Sequence, residues 1–270
     1  MELGIFDMVL ARPTFAETLD AVKHAGFSSI QLDYAAAGLA SMPAEIPDAV
    51  AREIRHETEA RGITIAAVGG TYNMIHPDPQ VRAEGMASLR AIAASCTTSG
   101  TSIVTLSTGT RDATNMWHRH PANDTPDAWN DLLDAMTSAL MIADEYDVLL
   151  AFEPEQANVA SNPAKARQLL NEIPHPRLKI CFDAANIAAS DLMRDPAVVI
   201  DEACALFGNE IATAHGKDIT ADGKFCAAGT GIVPWPHCVR RFSEVGYGGS
   251  LVLHSLSEGE IATARAAIER

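Results

Sequence analysis

Residues 148–186 read VLLAFEPEQANVASNPAKARQLLNEIPHPRLKICFDAAN, and this stretch holds one complete structural unit. Val148–Phe152 is a short apolar run ended by Glu153, and Leu178–Phe182 is a second, largely apolar run ended by Asp183. Runs without strict polar alternation suit strands buried on both faces, as in a parallel sheet. Between them, Asn162-Pro163 puts a capping side chain before a proline at the first helical position, where a missing N–H costs nothing. The stretch therefore predicts strand, helix, strand.

The same unit recurs along the chain. LGIFDMV (3–9), SIQLDY (29–34), ITIAAVGG (63–70), SIVTLSTG (102–109), IATAHGKD (211–218) and SLVLHSL (250–256) complete a set of eight runs. Helix starts lie between them. Thr14 with Glu17 and Ser257 with Glu260 fit a capping box, and Thr125-Pro126 and Asp195-Pro196 repeat the proline start. Core spacing of 3.6 residues follows, as in Phe15, Leu19, Val22 and in Trp129, Leu132, Leu133, Met136, Leu140. Trp129, Trp235 and the nine methionines read as packing residues. Gly26, Gly62, Gly100 and Gly246 stand just before the next run, where a left-handed residue reverses the chain.

Spread over 270 residues, eight units average roughly 34 residues each, the size of βα units closing into a (β/α)8 TIM barrel. The expectation is a single α/β barrel domain over 1–270. An open doubly wound sheet is the alternative, but no G-x-G-x-x-G follows the first run and no phosphate-binding P-loop is present. The polar stretch 111–127 (RDATNMWHRHPANDTPD) reads as a long loop after the fourth strand.

Composition narrows the partners. With 47% hydrophobic residues the chain can fill a core, and 35 acidic against 20 basic residues give a net charge of −15. Such a field repels phosphodiester backbones and anionic membranes, which argues against nucleic acid and membrane partners. No apolar run approaches a membrane span, and the start MELGIFDMVLARPTF has no basic leader pattern. Five scattered cysteines without a C-x-x-C pair suit reduced thiols, so a cytoplasmic location is expected. The exposed apolar pair Met116-Trp117 points to a homo-oligomer.

In such a barrel the strand ends and following loops form the active face. Four successive runs end in chemistry: Glu153, Asp183, His215 and His254. Any one alone is more often a cap or a satisfied core group. Four titratable groups buried at one mouth, however, are costly unless a cation or mutual pairing offsets them. Two carboxylates and two imidazoles suit one divalent ion, Mn²⁺, Co²⁺, Zn²⁺ or Fe²⁺ rather than Ca²⁺, with Mn²⁺ first and Mg²⁺ also open.

The order Glu153, Asp183, His215, with His215-Gly-Lys217-Asp218 as an H-x-K-D motif, resembles the sugar phosphate isomerase/epimerase family, the xylose isomerase-like barrels. Asn73-Met-Ile-His76-Pro77-Asp78, Thr108-Gly-Thr-Arg111-Asp112, Glu153-Pro-Glu155 and Gly246-Tyr-Gly-Gly249 support it in order and register over nearly the whole chain. The resemblance implies a metal-dependent isomerase or epimerase of a ketose, sugar phosphate, keto-inositol or related polyol. It gives Glu153 the role of ligand and proton carrier beside a metal-polarised carbonyl. The family's epimerases carry a second glutamate at the end of strand eight, where this chain has His254, and often a histidine where it has Asn186.

These departures change the expected chemistry. Epimerisation needs a base on one face and an acid on the other, and a metal-bound histidine is a poor proton carrier. His254 is therefore either ligand or catalytic acid/base. Lys217, two residues beyond His215, shares its side of the strand and can neutralise an oxyanion or donate a proton. His76, Arg111, Trp117, His118, His120 and Asn186 are candidate substrate-binding residues on the mouth. A lyase or dehydratase of a keto-sugar, keto-inositol or keto-glycoside is the nearest alternative, since elimination needs only one good base and one acid. A non-catalytic accessory subunit is the third reading. The related barrel endonucleases, with three zinc ions and basic loops, are disfavoured by the negative charge.

Overall fold

The eight runs become eight parallel strands: β1 (Glu2–Phe6), β2 (Ser29–Leu32), β3 (Thr64–Gly69), β4 (Ile103–Ser107), β5 (Leu149–Glu153), β6 (Leu178–Asp183), β7 (Ile211–Gly216) and, after two short strands described below, β10 (Ser250–Leu253). The computed structural model describes residues 1–269, so Arg270, the last residue of the expected domain, lies outside the described residues. Each strand pairs with its neighbour in the chain, and β1 pairs with β10 from Glu2↔Ser250 to Ile5↔Leu253, which closes the barrel.

Helices α1 (Phe15–His24), α2 (Asp48–Arg61), α3 (Pro79–Ser99), α4 (Pro126–Tyr146), α5 (Pro163–Glu172), α7 (Pro196–Phe207), α8 (Trp235–Glu244) and α9 (Ile261–Ile268) pack around the strands. Their starts follow local chemistry. Thr14 and Glu17 form the expected capping box, Thr125, Asn162 and Asp195 cap helices that begin with proline, and Ser257 with Glu260 opens a 3-10 turn leading into α9. Gly62 and Gly100 end α2 and α3 at φ of 61° and 90°, a region side chains with a Cβ rarely adopt. The apolar faces so aligned, Leu19, Val22, Leu132 and Met136 among them, are buried between helices and barrel.

Two pieces exceed the eight-unit pattern. Asp183 ends β6 and caps a short helix, α6 (Ala184–Ala189), ahead of α7. After β7 the chain forms a small antiparallel hairpin, β8 (Asp218–Ile219) with β9 (Phe225–Cys226). Asp218 holds it: the buried carboxylate accepts from the amides of Ile219, Gly229 and Val233 and from the Trp235 indole N–H. Among the described residues no helix is long and apolar enough to cross a membrane, and all five cysteines are free.

Candidate active site

The C-terminal ends of β5, β6, β7 and β10 bring Glu153, Asp183, His215, Lys217 and His254 together. Glu153 and Asp183 are the last residues of their strands, and His215 pairs in register with Asp183. His215 Nδ1 lies 3.2 Å from Glu153 Oε2. Lys217 Nζ is 3.3 Å from Asp183 Oδ2 and 3.7 Å from Glu153 Oε1. His254, just beyond β10, places Nε2 at 3.0 Å from Asp183 Oδ2, and its ring centroid is 4.7 Å from that of His215. The Ser255 hydroxyl meets His254 Nδ1 at 3.0 Å from a backbone with φ of 56°, a conformation uncommon outside glycine and often found at functional sites.

Charge pairing governs these ionisations. Burial alone raises the carboxyl pKa of Asp183, but Lys217 and the two histidines outweigh it and hold Asp183 well below the usual carboxylate range. Glu153 is lowered in the same way, burial being outweighed by His215 and Lys217. Lys217 is pushed down by burial and up more strongly by Asp183 and Glu153, so it stays charged. His254 moves below its ordinary value because burial outweighs its bond to Asp183. Glu155, in the Glu-Pro-Glu turn, is pushed up to about 7, by burial first and by the Glu153 charge second.

One polar atom marks the centre of this group. His215 Nδ1 is buried without a hydrogen-bond partner, facing a carboxylate oxygen. The donor atoms of Asp183, His215 and His254 all lie within 4.8 Å of one another. One carboxylate and two imidazoles, with Glu153 meeting His215 in a second such group beside Cys181, fit a divalent cation of the Mn²⁺, Co²⁺, Zn²⁺ or Fe²⁺ type, so the residues present fit such an ion. Glu153, His215 and His254 line a cavity of about 450 Å³ together with Phe6, Gln31, Asp33, Thr105 and Trp117.

The remaining candidate residues divide by position. Trp117 faces the cavity and is 55% exposed. Asn186 donates from Nδ2 to Glu153 Oε1, and its own Oδ1 is buried and unpaired. The other four make their bonds elsewhere. His76 Nε2 meets the carbonyl of Ala113, and Arg111 is spent on Asp131 Oδ2 and the Ile75 and Asp127 carbonyls. His118 contacts Asn115 on the surface, and His120 caps the 3-10 turn Pro121–Asp124. None of these four lines the cavity.

Sequence reasoning had passed over Gln31, Asp33 and Thr105. The signal was present: Gln31 in β2 and Asp33, one residue past its end, sit two apart in SIQLDY, the spacing of residues on one side of an extended chain. It also gave no role to Phe225, whose ring lies under Lys217 Nζ at 4.3 Å while 44% exposed at the mouth.

The architecture is shared with solved structures at low identity. A D-psicose 3-epimerase from Clostridium cellulolyticum H10 superposes at a TM-score of 0.76 with 15% identity, covering 100% of this chain and 97% of that one. The probable 3-DHS dehydratase AsbF from Bacillus anthracis gives 0.75 with 13% identity, covering 100% and 98%. The IolI protein with a bound zinc atom gives 0.73 with 14% identity, covering 100% and 94%. No curated protein sequence matches the chain. A family model described as the xylose isomerase-like TIM barrel matches residues 19–270, and the chain belongs to that family.

Proposed function

We propose that this protein is a divalent-metal-dependent isomerase or epimerase of a sugar, sugar phosphate or keto-polyol, working by proton transfer beside a carbonyl. The observation that carries the reading is the unpaired, buried Nδ1 of His215, 3.2 Å from Glu153, on a ring that also groups with Asp183 and His254. Glu153, Asp183 and His215 would hold the ion, with His254 as fourth ligand or as acid/base, and Mn²⁺ is the first candidate. The bound ion supplies Lewis-acid polarisation of neighbouring carbonyl and hydroxyl oxygens.

Glu153 is the base. Its pKa is held low by His215 and Lys217, so it is a carboxylate at neutral pH, and Asn186 fixes one of its oxygens by a hydrogen bond. Lys217, charged and buried between Glu153 and Asp183, would offset negative charge developing on a nearby substrate oxygen. His254 stays neutral at pH 7, accepts from Ser255 at Nδ1, and has Asp183 to stabilise the imidazolium it forms on taking a proton. The apolar wall of Trp117 and Phe6 and the acceptor Asp33 suit one small polyhydroxylated molecule in the cavity. Likeness to sugar epimerases supports the substrate class.

The Asp183–His254 pair also favours a second reading. One carboxylate base and one histidine that acts as acid once it has taken a proton suffice for β-elimination, and a dehydratase shares the fold. Product mass separates the two, because isomerisation conserves it and elimination releases a water or an aglycone.

The test begins with metal analysis of the purified chain and of its Asp183→Ala and His254→Ala variants. Near-stoichiometric metal in the wild type, lost in Asp183→Ala, is the expected result; retention in His254→Ala would assign His254 to proton transfer. Ketoses, keto-inositols and keto-glycosides are then screened for deuterium uptake beside the carbonyl. Glu153→Gln is expected to slow that exchange by about 10²–10⁴-fold. A wild type that binds no divalent metal under any loading condition defeats the mechanism, and activity that survives Glu153→Gln assigns the chemistry elsewhere.

A further inference from the structure

His215 is held by a directed chain of hydrogen bonds that crosses the barrel. At its far end is the backbone carbonyl of Val68, which can only accept. The Thr105 hydroxyl donates to it at 3.4 Å. With its proton committed, the same hydroxyl accepts from Gln31 Nε2–H at 3.5 Å. The Gln31 amide is thereby turned so that its carbonyl oxygen lies 2.7 Å from His215 Nε2. An acceptor at that distance requires Nε2 to carry the proton, which leaves Nδ1 as a lone pair open to a cation in the neutral ring and as an N–H toward Glu153 in the charged one. That is the atom found buried, unpartnered and 3.2 Å from Glu153.

We infer that Gln31 is a positioning residue: through Thr105 and Val68 it fixes His215 as the Nε2–H tautomer and presents the Nδ1 lone pair to the metal position. The residue is 8% exposed and lies three strands from β7 around the barrel wall, so it acts across the lumen rather than by strand pairing. An outer hydrogen bond of this kind aligns a ligating imidazole and raises its basicity. The reverse polarity is also self-consistent. With Gln31 flipped, its carbonyl would accept from Thr105, and His215 would carry its proton on Nδ1 and donate to Glu153. The two arrangements differ in whether a cation can use Nδ1, which is what an experiment can read.

The inference rests on the metal-site reading above, but its first measurement needs no metal. In metal-free, ¹⁵N-histidine-labelled protein, long-range ¹H–¹⁵N spectra report which ring nitrogen of His215 is protonated, with His215→Gln giving the assignment. Wild type is expected to show Nε2–H. Gln31→Met keeps the shape of the side chain, removes the acceptor and is expected to move the proton to Nδ1. Gln31→Glu keeps an acceptor and is expected to retain Nε2–H. In a Mn²⁺ or Zn²⁺ titration of the same proteins, Gln31→Met is expected to bind about 10–100-fold more weakly, and Gln31→Glu to recover most of the loss. Unchanged thermal melting in Gln31→Met separates positioning from general damage. Nδ1–H in the wild type, or a Gln31→Met variant that keeps both Nε2–H and full metal affinity, overturns the inference. Wild type that binds neither ion removes the metal reading, and the tautomer spectra still decide the role of Gln31.

Discussion

The two ends of this barrel use their polar residues differently, although Thr101 Oγ1, just ahead of β4 at the N-terminal end, is also buried without a partner. At the N-terminal end, the Ser29 and Ser250 hydroxyls pair with each other at 2.8 Å, and the Glu2 carboxylate accepts from Ser28 and from Thr64. At the C-terminal end, His215 Nδ1 and Asn186 Oδ1 are buried without partners, two carboxylates share one ammonium, and Ser255 adopts a positive φ. A buried polar atom left unpaired costs about 1–3 kcal/mol, so the second end is unfavourable unless something else binds there. In barrels of this type stability is expected at the first face and chemistry at the second. What sets the second end apart is the clustering of such atoms with two carboxylates and an ammonium around one cavity, where a ligand can complete them.

Removing the ammonium should break the contrast most severely. Lys217→Met leaves Asp183, which is fully buried, and Glu153 without the ammonium they share. In chelator at neutral pH this is expected to lower unfolding stability by about 3–5 kcal/mol, the usual effect of stripping one partner from a buried ion pair. Added Mn²⁺ or Zn²⁺ should restore much of the loss by binding the native state alone. Denaturant unfolding with and without metal measures both. A loss below about 1 kcal/mol would mean that the carboxylates do not depend on Lys217.

Glu155 gives the pH dependence of the same end. Its carboxyl sits at about 7 in the fold against an ordinary 4.5, so the native state binds the proton more tightly than the unfolded chain does. Between those values the native state holds more protons, and the sign of the linkage makes stability fall as pH rises through the window. Glu155→Gln cannot ionise. The variant is therefore expected to match wild type near pH 4.5 and to exceed it by about 2 kcal/mol above pH 8, solvent screening of the partly exposed carboxyl keeping the effect below the full shift. Melting curves of metal-free protein across that range test it, and a constant difference between the two proteins would exclude a titrating Glu155.

What the sequence revealed and what it hid follow the same division. The eight strands were legible because strands buried on both faces keep their apolar runs, and the helix starts were legible because a cap and its proline act over a few residues. Glu153, Asp183, His215 and His254 were legible because each ends or follows such a run. Gln31 was not, because its partner lies 184 residues away and the bond crosses the lumen. The partners of His76, Arg111, His118 and His120 were not legible, because polar loop residues carry no mark of what they bond. The structure shows all four bonded to neighbouring loop or helix atoms. The β8–β9 hairpin escaped notice because two-residue strands have no periodicity to read.

The smallest effect belongs to the N-terminal end and sharpens the comparison from the other side. Ser29→Ala removes one hydroxyl of a mutually satisfied pair and leaves the Ser250 Oγ, 9% exposed as a residue, without that partner. A loss of about 1 kcal/mol is expected, and Ser29→Ala with Ser250→Ala should recover part of it, since deleting both partners leaves nothing unpaired. Metal affinity and deuterium exchange should be unchanged in all three proteins, because these serines begin their strands at the end opposite the cavity. Reduced metal binding in Ser29→Ala would show that the two ends are coupled through the barrel interior. Equal metal binding, beside the large response of Lys217→Met, would make the division of labour between the ends a measured property of the barrel.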